Sequence, residues 1–371
     1  MNYEHGGDIY NNDIKLDFSV NLNAFGMPDS VRKVITDNLD IAGNYPDPEW
    51  TKLRDEIVKW EQRHTGAKLL PEQILCGNGA SELIGTIIQA SWPRTAIIQS
   101  PCFYGYERSL EAADCKIYRG DCMSVMPGVK LRSDKEGIYF MPTEKMAEQI
   151  KNERPDMVIL CNPSNPVGSC IREDILKKIL VAARDVGARV IIDECFLPFC
   201  SDFAGRSAVR FLEDFPNMMI IRAFTKLYAM PGIRLGYAIS GARLWGSQTL
   251  KLLPEWNVGT ISQAAGIVAL GDEKYLEESL PYIMKQKEKL MQQLLFLGMD
   301  VIPGKANFLL FRSPHRFDLK EALLEKGILI RACDNYPGLP HNGFYRICVR
   351  NEDDNQKLVD ALSDVLIEPV S

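Results

Sequence analysis

Apolar residues recur along this chain in two rhythms, and the order in which those rhythms alternate predicts the architecture. From about residue 72 to 240, short apolar runs alternate with helical stretches, the runs lying at 73–76, 96–99, 157–160, 188–192, 218–222 and 236–239. Such an alternation implies a mostly parallel sheet covered by helices on both faces. A helix is expected from about 81 to 90, directly after Gly77-Asn-Gly-Ala, which leaves its first N–H groups free. Beyond residue 270 the rhythm changes. The charged amphipathic run 274–297 predicts one long helix, followed by strands near 308–311, 328–331 and 345–349. A closing helix is expected over about 353–366, with Leu358, Leu362 and Leu366 on one face. These later elements predict a second, smaller α+β unit. No internal repeat or low-complexity linker separates the two.

Composition narrows the class further. With 371 residues, 46% of them hydrophobic, the chain can bury a large core and is long enough for about two domains. A net charge of −6 without a basic stripe argues against nonspecific binding to nucleic acid or to a membrane surface. Ten cysteines with no C-x-x-C pair read as reduced thiols, neither a disulfide framework nor a metal site, and so suggest a cytoplasmic protein. Residues 1–17 are polar, and no run approaches the ~18 apolar residues of a membrane span. Export and insertion are therefore not expected.

One segment carries the chemistry. Thr225-Lys226 stands eight residues before Arg234, just beyond an apolar strand that ends in Asp193. A lysine near a fixed cation is easier to deprotonate, and a neutral amine can form a Schiff base. A buried strand delivers Asp193 to the carboxyl edge of the sheet, where ligands bind in open α/β folds. Lysine, aspartate and arginine together match three needs of pyridoxal 5'-phosphate (PLP): an imine partner, a counter-charge for the pyridinium nitrogen and a phosphate clamp. The turn Gly79-Ala80-Ser81 opens a helix and offers N–H groups to the same phosphate.

An ordered set of motifs spans nearly the whole chain: His5-Gly-Gly, Asp17-Phe-Ser-Val-Asn-Leu-Asn23, Asn44-Tyr-Pro-Asp, Gly77-Asn-Gly-Ala-Ser-Glu, Asn162-Pro-Ser-Asn-Pro-Val-Gly168, Asp193-Glu-Cys-Phe196 and the lysine segment. In these the chain resembles the fold-type I PLP-dependent enzymes, in the branch that holds histidinol-phosphate aminotransferase and L-threonine-O-3-phosphate decarboxylase. The resemblance implies an α/β fold of the aspartate aminotransferase type. Its large domain, 41–250, would carry a mostly parallel seven-stranded sheet, and 1–40 with 251–371 would form the smaller α+β domain.

The same resemblance implies roles. Lys226 would hold PLP, Asp193 its pyridine nitrogen, and Arg234, Thr225, Gly79, Ala80 and Ser81 its phosphate. Phe103 would stack on the ring and Asn165 would bond the phenolic oxygen. Tyr45 would reach a phosphate in a neighbouring subunit, which implies a homodimer with shared active sites. On the substrate side, Arg346 matches the position that grips the α-carboxylate and Arg331 a position used for a substrate phosphate, with His5 and Asn23 over the pocket. A phosphorylated amino acid is the expected substrate.

Two positions depart from the pattern. Phe196 stands where many aminotransferases have a tyrosine, and Ala223 stands where a hydroxyl residue commonly meets the cofactor phosphate. Phe196, His5-Gly-Gly and the run Cys333-Asp-Asn-Tyr-Pro-Gly-Leu339 look closer to the decarboxylase. Threonine phosphate decarboxylation, a step toward the cobalamin side chain, is accordingly the first expectation, with aminotransfer between histidinol phosphate and 2-oxoglutarate as the alternative. A non-catalytic PLP-binding regulator is more remote, because such proteins usually carry a DNA-binding module and residues before 17 leave no room for one.

Overall fold

A computed structural model describes residues 6–130, 136–315, 317–339 and 343–367. Its larger sheet is built from β1 (Ile74–Gly77), β2 (Thr95–Gln99), β3 (Lys116–Gly120), β4 (Met157–Cys161), β5 (Arg189–Asp193), β6 (Met218–Ala223) and β7 (Gly236–Ser240), in the spatial order β1-β7-β6-β5-β4-β2-β3. Only β7 runs against the rest, pairing antiparallel with both β1 and β6. The apolar runs become strands because both sheet faces are covered: every residue of β1, β4 and β7 is buried. β3 is an edge strand with exposed Lys116 and Arg119 and therefore lacks the apolar run that marks the other six.

Because β7 alone is reversed, the carboxyl ends of β1, β2, β4, β5 and β6 come out on one edge. The loops that follow them carry Gly79 to Ser81, Phe103, Asn165, Phe196 and Lys226, respectively. A buried charge cluster stiffens this edge from beneath. Arg222 on β6 meets Glu61 at 3.1 Å and Glu194 at 3.0 Å, all three at most 2% exposed. Tyr237 donates to Glu61 at 2.7 Å, and Ala208 N–H donates to Glu194 at 2.7 Å. Glu194 directly follows Asp193, so this cluster fixes the strand end that bears Asp193.

The smaller unit is a four-stranded antiparallel sheet in the order Asp300–Ile302, Phe308–Arg312, Phe344–Cys348, Arg331–Ala332. Helix Glu352–Ile367 covers it with Leu358 and Leu362 buried and Leu366 at the rim of the same core. The long helix Glu273–Phe296 serves both units, since Leu276 and Ile283 enter the large core and Leu290 and Leu294 the small one. Leu16–Asp17 pairs parallel with Ile328–Leu329, which ties the N-terminal arm to the smaller unit. Val31, and Ala265 and Ala269 of helix Thr260–Gly271, pack in the large core. The large core therefore draws in chain on both sides of the span 41–250: helix Thr260–Gly271 packs on helix Thr51–Thr65, and helix Asp29–Asp37, which bears Val31, packs on Thr260–Gly271. No helix among the described residues is long and apolar enough to cross a membrane.

Candidate active site

A cavity of about 200 Å³ opens at the carboxyl edge, where the two units meet. Lys226, Asp193, Thr225, Phe103, Asn165, Ala80, Ser81, Arg234, Arg331 and Arg346 all line it. Residues from five strand ends and from the smaller sheet thus converge, although they are up to 266 positions apart in sequence, from Ala80 to Arg346.

Lys226 sits in the one-turn helix Phe224–Leu227 that directly follows β6. Among the described residues no acceptor binds its Nζ. Burial lowers its amine from the usual lysine range to about 8, and Arg346 adds to that shift more than Arg234 does. The cation expected to assist the lysine is thus chiefly Arg346, which the sequence places 120 residues away. Lys287 is also held near 8 by burial, but its Nζ donates to Gly304 O and Ala306 O at 2.6 Å each. That lysine is a clamp for the loop before Phe308; Lys226 is an amine left for a ligand. In the apoenzyme, covalent capture of PLP should accelerate as pH rises through about 8 and level off above it, because the neutral amine is the nucleophile. Stopped-flow absorbance would show it, and Arg346→Ala should move the midpoint upward; a flat rate across that range would contradict the assignment.

Asp193 ends β5 and is 7% exposed. Cys195 N–H donates to its Oδ1 at 2.9 Å and the Tyr106 hydroxyl to its Oδ2 at 2.5 Å. Arg234 occupies the left-handed region, φ +55°, and its Nη2 donates to Asn78 O at 3.2 Å. Gly79 lies beneath it at φ +82°, where a Cβ would sit 2.7 Å from that Nη2. Helix Ala80–Ser91 starts at Gly79 with no side-chain cap, so its first N–H groups remain available at the cavity wall.

The two arginines of the smaller sheet are cross-strand partners, Arg331 directly opposite Arg346. Arg331 donates to Ala332 O at 2.5 Å and to Asn335 Oδ1 at 2.8 Å, with Tyr336 beneath its guanidinium at 5.3 Å. Arg346 donates to Asn165 Oδ1 and, at 2.6 Å, to Ser19 O, while its buried Nε has no partner among the described residues. Like charges directly opposite one another destabilise a sheet. The pair sets two guanidinium groups side by side in the cavity wall.

Several expected residues are elsewhere. Asn23 does not line the cavity: its side-chain amide donates to Leu227 O at 3.0 Å and Ser279 Oγ at 2.9 Å, bracing the lysine turn from behind. Asn21, two residues earlier, faces the cavity instead, and its buried Oδ1 has no partner among the described residues. Tyr45 lies outside the cavity, 80% exposed and packed on Trp256 at 4.8 Å between ring centroids. His5 falls outside the described residues; Gly6 beside it lines the cavity, where a Cβ would run into Ser19 O. Phe196 is buried edge-on against Phe308, and Ala223 presents a methyl group, so both departures stand at the cavity wall. Tyr106, Asn21 and Tyr336 were not anticipated. Tyr106 had a faint signal, as a second aromatic three residues after Phe103.

Residues 13–362 match the family model for aminotransferase class I and II. The chain belongs to that family. It is a fold-type I, PLP-dependent enzyme with the aspartate-aminotransferase-like fold, related to both threonine-phosphate decarboxylases and histidinol-phosphate aminotransferases. The threonine-phosphate decarboxylase of Salmonella typhimurium is 32% identical over 99% of this chain and 97% of that protein. The histidinol-phosphate aminotransferase of Caldanaerobacter subterraneus is 32% identical over 98% of this chain and 96% of that protein. The crystal structure of the Clostridium acetobutylicum histidinol-phosphate aminotransferase superposes with a TM-score of 0.83 at 29% identity, covering 95% of this chain and 99% of that one.

The cavity of this family member fits the cofactor by its own chemistry. An unbonded amine, an anchored carboxylate and an uncapped helix start under a guanidinium offer PLP a covalent partner, a counter-charge and a phosphate cup.

Proposed function

We propose that the enzyme acts at Cα of a phosphorylated amino compound, with Lys226 as the covalent anchor and proton shuttle. The directly opposed pair Arg331 and Arg346, buried in the same cavity as Lys226, carries this reading. Arg346 would take a carboxylate and Arg331 a phosphate, each through a guanidinium fork. Asp193 would face the cofactor nitrogen, while Arg234, Thr225 and the backbone of Ala80 and Ser81 would take its phosphate; the expected Gly79 N–H donates instead to Gly77 O at 2.7 Å. Phe103 would cover the ring and Asn165 would bond its phenolic oxygen. Bound PLP supplies the electron sink that stabilises negative charge at Cα.

Amino-group transfer of the histidinol-phosphate type, with 2-oxoglutarate and glutamate as the second pair, is the reading we put first. Transfer requires one cavity to accept a phosphate ester and a dicarboxylate in turn, and two adjacent guanidinium forks suit both. It also requires a group that takes a proton from Cα and returns it to another carbon. A lysine held near 8 can do both. Decarboxylation of threonine phosphate is the second reading, supported by the Salmonella relative and by Phe196. The two separate cleanly: threonine phosphate alone should yield no CO2 under the first reading, whereas histidinol phosphate with 2-oxoglutarate should yield glutamate. Release of CO2 without an oxoacid would reverse the order.

Arg331→Ala should erase most of the preference for a phosphorylated substrate over its unphosphorylated parent, a loss of about tenfold to over a hundredfold at roughly 1.5–3 kcal/mol per charge-assisted contact. Arg346→Ala should weaken threonine phosphate and threonine alike, because both keep the carboxylate it reads; with histidinol phosphate, which has none, its effect should fall on 2-oxoglutarate. Specificity constants for the two substrates check this, and an unchanged ratio in Arg331→Ala would remove the phosphate assignment. We also propose a homodimer in which the exposed Tyr45 reaches the neighbouring cavity. Sedimentation of the wild type and of Tyr45→Phe, with PLP affinity measured on both, tests that.

A further inference from the structure

The carboxylate of Asp193 is held at both oxygens, and the two holds differ in kind. Cys195 N–H reaches Oδ1 from the next turn of the same loop, as a backbone group no side-chain change would remove. The hold on Oδ2 comes from another element. Tyr106 lies in helix Gly105–Glu111, 87 residues earlier, is 1% exposed, and spans the space under the cavity to donate its hydroxyl at 2.5 Å. Phe103 packs edge-on against the Tyr106 ring, 5.7 Å between centroids at 86°, so the phenol has one orientation.

We propose that Tyr106 is a positioning residue that sets the direction in which Asp193 presents its carboxylate, and through it the charge contact to the cofactor ring nitrogen. The inference rests on the reading of Asp193 as the partner of the ring nitrogen. A buried carboxylate with one backbone donor could turn about its Cβ–Cγ bond; a second donor from a separate helix fixes its plane. A short O–H···O bond to a charged oxygen is roughly twice as strong as one between neutral groups. With its plane fixed in this way, the carboxylate would stay aimed at the nitrogen of a bound pyridine ring. Around Asp193, burial raises the Cys161 and Cys195 thiols and the Tyr106 phenol well above their ordinary values, so all three stay neutral. Lys226 lines the same cavity. Tyr106 thus supplies a donor without a charge that would compete with the ring for Asp193.

The test uses the PLP-loaded enzyme, with Tyr106→Phe and, by site-specific incorporation, 3-fluorotyrosine at 106. Loss of the donor lets Asp193 turn away from the ring nitrogen, so the pKa at which the cofactor absorbance titrates should rise by on the order of one unit in the Phe variant. Fluorotyrosine keeps the donor and should leave it near the wild-type value. Turnover in Tyr106→Phe should fall by roughly tenfold to a hundredfold at a KM within about twofold of wild type. Phenylalanine keeps the ring and its packing, so a merely structural tyrosine would leave all of these unmoved. An unchanged absorbance pKa in the Phe variant, with PLP still bound through Lys226, would overturn the proposal alone. Failure of the wild type to attach PLP at Lys226 would instead overturn the reading beneath it.

Discussion

Lys226→Ala should lose borohydride-reducible attachment of PLP and lower turnover by on the order of 10²–10⁴-fold, the range for a positioned proton-transfer group. The fold should survive. Among the described residues no acceptor depends on Nζ, and the contacts that hold the turn belong to the backbone: Asn23 N–H donates to Lys226 O at 3.0 Å whatever the side chain. Removing an amine whose charged form burial disfavours costs little stability. Lys287→Ala is the informative contrast, since it strips a donor from two buried carbonyls and should lower the melting temperature while leaving attachment intact. Thermal melts and borohydride labelling of both variants check the pair; attachment persisting in Lys226→Ala would refute the anchor.

Asp193→Asn should keep PLP yet lose about a hundredfold to several thousandfold in kcat, equivalent to the roughly 3–5 kcal/mol of a broken buried charge pair. Asparagine matches the shape and can still accept from Cys195 N–H. It cannot hold a proton on the ring by charge, so the cofactor would bind without its full electron demand. Cofactor absorbance and single-turnover rates separate those effects. A kcat within about threefold of wild type would remove Asp193 from this role.

What could be read from the sequence, and what could not, follows from which signals are local. Six strands of the larger sheet were visible because burial on both faces forces apolar runs; Lys116–Gly120 was not, because an edge strand carries lysine and arginine outward. The reversal of Gly236–Ser240 was hidden, since pairing direction leaves no trace in an apolar run. The run 328–331 resolved into two short strands, Ile328–Leu329 pairing with the N-terminal arm and Arg331–Ala332 with Phe344–Cys348, a division set by distant partners. At the site, Lys226, Asp193 and Arg234 stood in motifs. The opposition of Arg331 to Arg346 depends on sheet register and could not be foreseen. Asn21 and Asn23 stand two residues apart in an irregular segment with no face periodicity, so only the bonds of Asn23 to Leu227 and Ser279 decide which one faces the cavity.

The central claim is that one buried lysine at the carboxyl edge of the sheet carries the cofactor. Borohydride reduction of the PLP-loaded protein, followed by peptide mapping, tests it directly. The account predicts a single pyridoxyl-bearing peptide with the mass addition on Lys226. A mass addition on Lys287, the other lysine that burial brings to about 8, or on any surface lysine with Lys226 unmodified, would contradict it.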